Sequence, residues 1–157
     1  MVELINIKKS VLNAHKKISR YVRETPLEGS SYLSQIGNCE VYLKCENFQL
    51  TGSFKIRGAI NKLLSLKQSE LKQGLVTASS GNHGNAFAYL TRRFGYPGRI
   101  ILPENASPTK VEALRLMGTD IEFYGDDCVK AERFARESAV KRQQIFISPY
   151  NDPEIIG

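Results

Sequence analysis

From Gly74 to Ser148 the chain repeats one pattern, a short apolar run followed by an amphipathic helix, and this repetition restricts the fold more than any other feature. Leu75–Ala78, Arg99–Leu102, Ile121–Tyr124 and Ile145–Ser148 read as strands. The first helix between them puts Ala86, Leu90 and Phe94 on one face and stops at Gly95, with Pro97 just beyond. Ser107–Pro108 supplies an N-cap and a first-turn proline for the next, which turns Val111, Leu114 and Met117 inward before Gly118. Asp126–Asp127 opens a third helix bearing Cys128, Ala131, Phe134 and Ala135. Such alternation is the mark of right-handed βαβ units, so the fold class is α/β: a three-layer open parallel sheet with flanking helices.

Ahead of Gly74 the pattern is less regular. Ile7, Val11, Ala14, Ile18 and Val22 recur at helical spacing, predicting a first helix over Ile5–Val22. Glu24-Thr25-Pro26-Leu27 breaks it, because proline forces the preceding residue into extended geometry. Ser30 or Ser31 caps a short helix running through Gln35 and ending at Gly37-Asn38, and Glu40–Lys44 reads as a strand. Cys39 and Cys45 share parity with Val41 and Leu43, which places them on one strand face as small apolar residues. A Thr51-Gly52-Ser53 turn then leads into a helix whose Ile56, Ala59, Ile60, Leu63 and Leu64 form one buried face.

With 157 residues there is room for one domain with a real core. No apolar run approaches the roughly 18 residues needed to cross a bilayer, and the N-terminus lacks the order of a secretion signal. Three cysteines without metal-ligand spacing, and two histidines that pair with none of them, argue against a metal site and for reduced thiols in the cytoplasm. The net charge of +6 is spread over separate pairs such as Lys8–Lys9, Arg92–Arg93 and Lys141–Arg142, a pattern of solvated helix faces rather than of a nucleic-acid surface.

Two stretches carry chemistry. Ser53 is a good N-cap residue, which puts Lys55 in the first turn of its helix. The field there disfavours a further cation and favours the neutral amine, the form that attacks carbonyls. Taken alone, the reading of Lys55 as one solvated lysine among many carries more weight. The second stretch, Ser79-Ser80-Gly81-Asn82-His83-Gly84, lies where a strand passes into a helix. Hydroxyls, an amide and free backbone N–H groups make a carboxylate or phosphate cradle there. An ordinary tight βα turn explains it equally well. Neither a Walker loop nor the Gly-x-Gly-x-x-Gly fingerprint is present.

Together the two stretches change the balance. Thr51-Gly52-Ser53-Phe54-Lys55-Ile56-Arg57-Gly58-Ala59 followed by Ser79-Ser80-Gly81-Asn82-His83-Gly84 closely resembles the serine/threonine dehydratase and serine racemase family of fold type II pyridoxal-phosphate enzymes. Thr25-Pro26-Leu27, Leu43-Lys44-Cys45-Glu46-Asn47, Ile101-Leu102-Pro103, Ala106-Ser107-Pro108-Thr109-Lys110 and Pro149-Tyr150-Asn151-Asp152-Pro153 match it in order. The resemblance implies an ammonia-lyase acting on a β-hydroxy amino acid to give a 2-oxo acid and ammonia. Lys55 would hold pyridoxal 5'-phosphate covalently and act as base at Cα. Phe54 would pack on the cofactor ring and Asn82 bond its hydroxyl. Ser79, Ser80, Asn82 and His83 would bind the substrate, its carboxylate held by Ser79, Asn82 and His83. Ser80 stands where serine racemases keep the acid/base for the opposite face, which leaves racemisation open.

Members of that family run roughly twice this length, as two-domain enzymes do. The match implies that residues 52–148 form the small domain, with 1–51 and 149–157 belonging to an incomplete large one. The glycine-rich phosphate loop of the family has no counterpart after Gly84. A truncated chain with little activity is therefore expected. The alternative is a non-catalytic module that covers its apolar surface by self-association, as a homodimer, or with a protein partner.

Overall fold

In the computed structural model, which describes residues 7–156, the chain begins with α1 (Ile7–Ile18), a 3-10 turn (Ser19–Tyr21), β1 (Leu27–Gly29), α2 (Ser31–Gly37), β2 (Tyr42–Lys44) and a second 3-10 turn (Glu46–Phe48). It continues through α3 (Lys55–Ser65), α4 (Gln68–Gln73), β3 (Leu75–Ala78), α5 (Asn82–Phe94) and β4 (Gly98–Leu102). Then follow α6 (Pro108–Leu116), β5 (Asp120–Phe123), α7 (Cys128–Lys141), β6 (Ile145–Phe146) and α8 (Pro153–Ile156).

The four-stranded sheet is parallel throughout, in the order β5-β4-β3-β6. Leu75 pairs with Gly98 on one side and with Ile145 on the other, so β3 is hydrogen-bonded along both edges. Side chains alternate between the two faces of a strand. Leu75, Ile100 and Leu102 accordingly enter a core built with Ile56, Ile60 and Leu63 of α3, Ala86 and Leu90 of α5, and Leu114 of α6. Val76 and Ile101 face the other way, onto Ala131, Ala135 and Ala139 of α7. The three-layer α/β architecture expected from the repeats is the one observed.

Several local expectations need correction. Ile5 lies outside the described residues, and the first helix stops at Ile18 before tightening into the 3-10 turn, a common way for a helix end to use its last carbonyls. Leu27–Gly29, hidden by the proline break, is a strand that pairs antiparallel with β2. β2 is shorter than Glu40–Lys44, so Cys39 and Cys45 flank it and do not share its face. Six residues of α4 are too few to show a helical period in the sequence. Ser53 is not the cap of the lysine helix: Phe54 takes that position with helical φ and ψ, and the buried Ser53 hydroxyl has no partner. Ser107 occupies the N-cap of α6 without making a capping bond, whereas Asp127 accepts from the Lys130 N–H at 2.8 Å. β6 ends at Phe146 rather than Ser148, although the Ile147 N–H still reaches the Val76 carbonyl at 2.8 Å.

The last described helix is fastened to α3. Asn61 Nδ2 donates to the Glu154 carbonyl at 2.8 Å, and Lys62 pairs with Asp152 at 2.8 Å. Gly58 makes the close approach possible, because a Cβ there would run into the Ile155 carbonyl. A Gly58→Ala substitution should push residues 152–156 off α3 at a cost of about 1–3 kcal/mol, the usual penalty for overpacking. The expected result is a lower thermal midpoint with faster amide exchange at Ile155 and Ile156; unchanged exchange at both would contradict this account.

Candidate active site

In an open parallel sheet, ligands collect beyond the carboxyl ends of the strands where the strand order reverses. Here that point falls between β3 and β6. The chain leaves β3 through α5 to β4 on one side, and returns from β5 through α7 to β6 on the other. A cavity of about 670 Å³ opens there, lined by Lys55, residues 79–83, Pro149, Tyr150 and one face of α7. A second cavity of about 460 Å³ shares Lys55 and Tyr150 but is walled by Val11, Ala14, Ile18 and Phe54. It also carries His15, Arg57 and Asn61, but only the first cavity opens onto the strand-to-helix loop of residues 79–83.

Lys55 is the first residue of α3 and is half-buried. Its Nζ donates to the Pro149 carbonyl at 2.8 Å and stands 5.3 Å from the centre of the Phe54 ring. The lysine helix and the loop after β6 therefore meet at the amine. Across the cavity, α5 begins at Asn82 behind Gly81, which offers no side-chain cap. The first N–H groups of α5 are left for a ligand, with the helix dipole favouring an anion. Ser79 Oγ accepts from the Gly81 N–H at 3.3 Å and shapes the loop. A Cβ on Gly84 would strike the Ser79 carbonyl, so glycine there lets the loop fold back onto the helix.

His83 is the unusual member. Only 2% of it is exposed, and neither ring nitrogen has a hydrogen-bond partner. Burial lowers its pKa to about 4; the neighbouring Ile147 carbonyl opposes the shift and the charge of Lys55 adds to it. The Thr77 hydroxyl, fully buried, already donates to that carbonyl at 2.7 Å. A neutral imidazole with an unfilled donor and acceptor is costly in a folded interior.

The structure thus gathers Lys55, Ser79, Ser80, Asn82 and His83 around one cavity, while Phe54 lines the apolar cavity beside it. Sequence reasoning missed the Pro149 carbonyl, Thr77, and the contact from the Tyr150 hydroxyl to Glu132 at 2.5 Å. Thr77 and Tyr150 sit inside or beside segments already singled out. A backbone carbonyl leaves no signal in residue identity.

Fold and site define a class of α/β scaffold, one that sets a lysine amine against an anion cradle at the switch point of a parallel sheet. The chain belongs to the family of pyridoxal-phosphate-dependent enzymes: the family profile described as "Pyridoxal-phosphate dependent enzyme" matches residues 18–157. It is 38% identical to the L-threonine ammonia-lyase of Thermotoga maritima over 157 residues, all of this chain and 38% of that protein. It is 40% identical to the serine racemase of Dictyostelium discoideum over 134 residues, 85% of this chain and 40% of that protein. The structure of the processed form of threonine deaminase isoform 2 from Solanum lycopersicum superposes with a TM-score of 0.87 at 30% identity, covering 98% of this chain and 42% of that one. The chain spans less than half the length of these relatives. For pyridoxal phosphate the site offers a half-buried amine in the cavity wall, the open start of α5 and the buried imidazole of His83, which fit the ring and carbonyl of the group, while the glycine-rich loop for its phosphate has no counterpart after Gly84.

The histidine gives a pH prediction. Its folded pKa of about 4 lies below the ordinary value of 6.5, so the unfolded chain binds the proton more readily between these values. Stability contributed by neutral His83 is fully present above the upper value and is lost as pH falls toward the lower one. The loss is on the order of 3 kcal/mol. Thermal unfolding followed from neutral to acid pH should show this slope, and His83→Asn should flatten it; equal slopes would refute the assignment.

Proposed function

We propose that this protein is a pyridoxal-phosphate-dependent ammonia-lyase for serine, threonine or a related β-hydroxy amino acid, with racemisation as a second outcome at the same centre. The observation that carries the reading is the meeting of the Lys55 amine and the Ser79–His83 cradle in one cavity. When bound, pyridoxal phosphate supplies an electron sink that acidifies the Cα–H of an amino acid.

The chain's own residues do the rest. Lys55 would hold the cofactor through Nζ and would move the Cα proton on its side. The first-turn N–H groups of α5, with Ser79, Asn82 and His83, hold the substrate carboxylate and so fix which Cα bond faces the lysine. Asn82 would hydrogen-bond the hydroxyl of the cofactor ring, and Phe54, from the adjoining cavity, would pack against the ring. The Ser80 hydroxyl is the proton carrier for the opposite side of Cα. The net reaction removes the β-hydroxyl and gives a 2-oxo acid and ammonia. In this reading residues 52–148 form the small domain of the fold, and 1–51 with 149–157 belong to the large one. It places the protein among soluble cytoplasmic enzymes of amino-acid metabolism; among the described residues no helix is long and apolar enough to cross a membrane.

The test is to incubate the chain with pyridoxal phosphate, reduce with borohydride and map the adduct by mass spectrometry. A single adduct on Lys55, absent after Lys55→Ala, is expected; adducts scattered over exposed lysines would refute the reading. Ser80→Ala should abolish any interconversion of serine enantiomers while sparing the adduct on Lys55. Retained interconversion would remove Ser80 from the mechanism.

One observation favours a second reading, a module that self-associates. β1, α2 and β2 bury no residue, and Leu27, Tyr32, Ile36, Tyr42 and Leu43 stand exposed on them. Sedimentation at rising concentration decides it: a homodimer weakened by Tyr42→Lys supports this reading, and a monomer at all concentrations excludes it.

A further inference from the structure

Glu46 gathers contacts from two other segments of the chain. Its Oε1 accepts from Thr25 Oγ1 at 2.6 Å and from Arg57 Nη2 at 2.7 Å, and its Oε2 accepts from Arg57 Nε at 2.8 Å. This is a two-pronged guanidinium–carboxylate pair with a third donor added, the strongest form such a contact takes. The pair is largely sheltered, with side-chain exposures of 17% for Glu46 and 27% for Arg57, and Thr25 is 4% exposed. The Arg57 guanidinium holds the Glu46 carboxyl below the usual carboxylate range, with Thr25 and Lys44 acting the same way against the opposing effect of burial.

The surroundings lock the arrangement. Lys44 Nζ donates to the Thr25 carbonyl at 2.7 Å. Gln49 clamps the segment before Thr25: its Oε1 accepts from the Arg23 N–H at 2.8 Å and its Nε2 donates to the Arg23 carbonyl at 2.9 Å. The chain on either side of Glu46 is therefore fixed before the lysine turn begins.

Arg57 lies two residues beyond Lys55 in the first turn of α3; it borders the second cavity, which Lys55 shares, and does not line the one that holds the cradle. That first turn has no side-chain cap at Phe54, and the Ser53 hydroxyl has no partner. Helix starts without a cap fray. Here the ion pair grips the turn from its third residue and ties it to a prepared polar clamp. Stability alone is a weak reason for such a pair, since sheltered ion pairs are often replaceable by apolar residues without loss. What an apolar contact lacks is direction.

We propose that Glu46 and Arg57, locked by Thr25, are positioning residues that aim the Lys55 amine at the Ser79–His83 cradle. The proposal rests on the reading of Lys55 given above, and it places the orientation of the amine outside the cavity that holds the cradle.

The test compares the wild-type chain with Glu46→Gln, Arg57→Lys and the exchanged pair Glu46→Arg with Arg57→Glu. Three quantities are read: the borohydride-trapped pyridoxal phosphate on Lys55, trace acetylation of Lys55 relative to exposed Lys72, and the thermal midpoint. Glu46→Gln should lower trapping at Lys55 by about tenfold, as small misplacements of a reacting group do. It should also change the Lys55-to-Lys72 acetylation ratio, and the exchanged pair should restore part of both. Trapping and ratio unchanged in Glu46→Gln would overturn the proposal, as would a loss that merely follows the midpoint and affects all lysines alike. If the wild-type chain gives no Lys55 adduct, the reading of Lys55 fails on its own. The acetylation ratio, which needs no cofactor, then decides the brace: a changed ratio supports it and an unchanged one overturns it.

Discussion

β3 is bonded on both edges and covered on both faces, and the remaining architecture follows from that confinement. Leu75, Val76 and Thr77 are completely buried. No water reaches their peptide groups, so neighbouring strands must satisfy them. With β4 and β6 occupying the edges, the chain can leave β3 only at its carboxyl end, where it turns at once into α5. The cradle is the form that exit takes. Its tightness comes from Gly84 lying under the Ser79 carbonyl, and its position beside Lys55 comes from β6, whose following loop brings the Pro149 carbonyl to the amine.

The site is therefore assembled from three directions. α3 brings the lysine, α5 brings the free N–H groups, and the segment after β6 brings the carbonyl that holds the amine. His83 sits where they meet, with unfilled ring nitrogens. It is buried between the lysine helix and the loop after β6, with the Ile147 carbonyl as its polar neighbour.

Much of this was legible in the sequence, for identifiable reasons. Each of β3 to β6 is a mainly apolar run between breakers, and each helix between them carries a stripe at helical spacing, so element type and parallel pairing could be read directly, whereas the order β5-β4-β3-β6 could not. Lys55, Ser79, Ser80, Asn82 and His83 drew notice as polar residues at strand-to-helix junctions, but only the resemblance of the two stretches to a known family singled them out over a solvated lysine and an ordinary turn. The failures have causes as definite. β1 needs a partner fifteen residues away to exist, and no local pattern encodes a pairing. Ser53 has the right chemistry for a cap, but Phe54 extends the helical geometry by one residue and leaves its hydroxyl stranded. The depressed pKa of His83 arises first from burial, with the Ile147 carbonyl opposing it and the charge of Lys55 adding to it, and these neighbours arrive from distant parts of the chain. The Glu46–Arg57 pair was visible only as two charged letters in a matching motif, because its meaning lies in mutual geometry.

At the end of the sheet remote from the cavity, Arg99 is almost wholly buried. It pairs with Glu122 on β5, donates to Ser138 on α7 at 3.1 Å and to Gln144 just before β6 at 2.9 Å. One guanidinium thus joins β4, β5, α7 and the approach to β6. The two rims of the sheet are consequently under different rules. One is stitched by charge and tolerates little alteration, while the other is a set of loops whose lengths do not enter the stitching. Residue changes at the ligand end that keep the turn over Gly84 and the reach of Pro149 can therefore alter the site, with the seam around Arg99 keeping the strands in register.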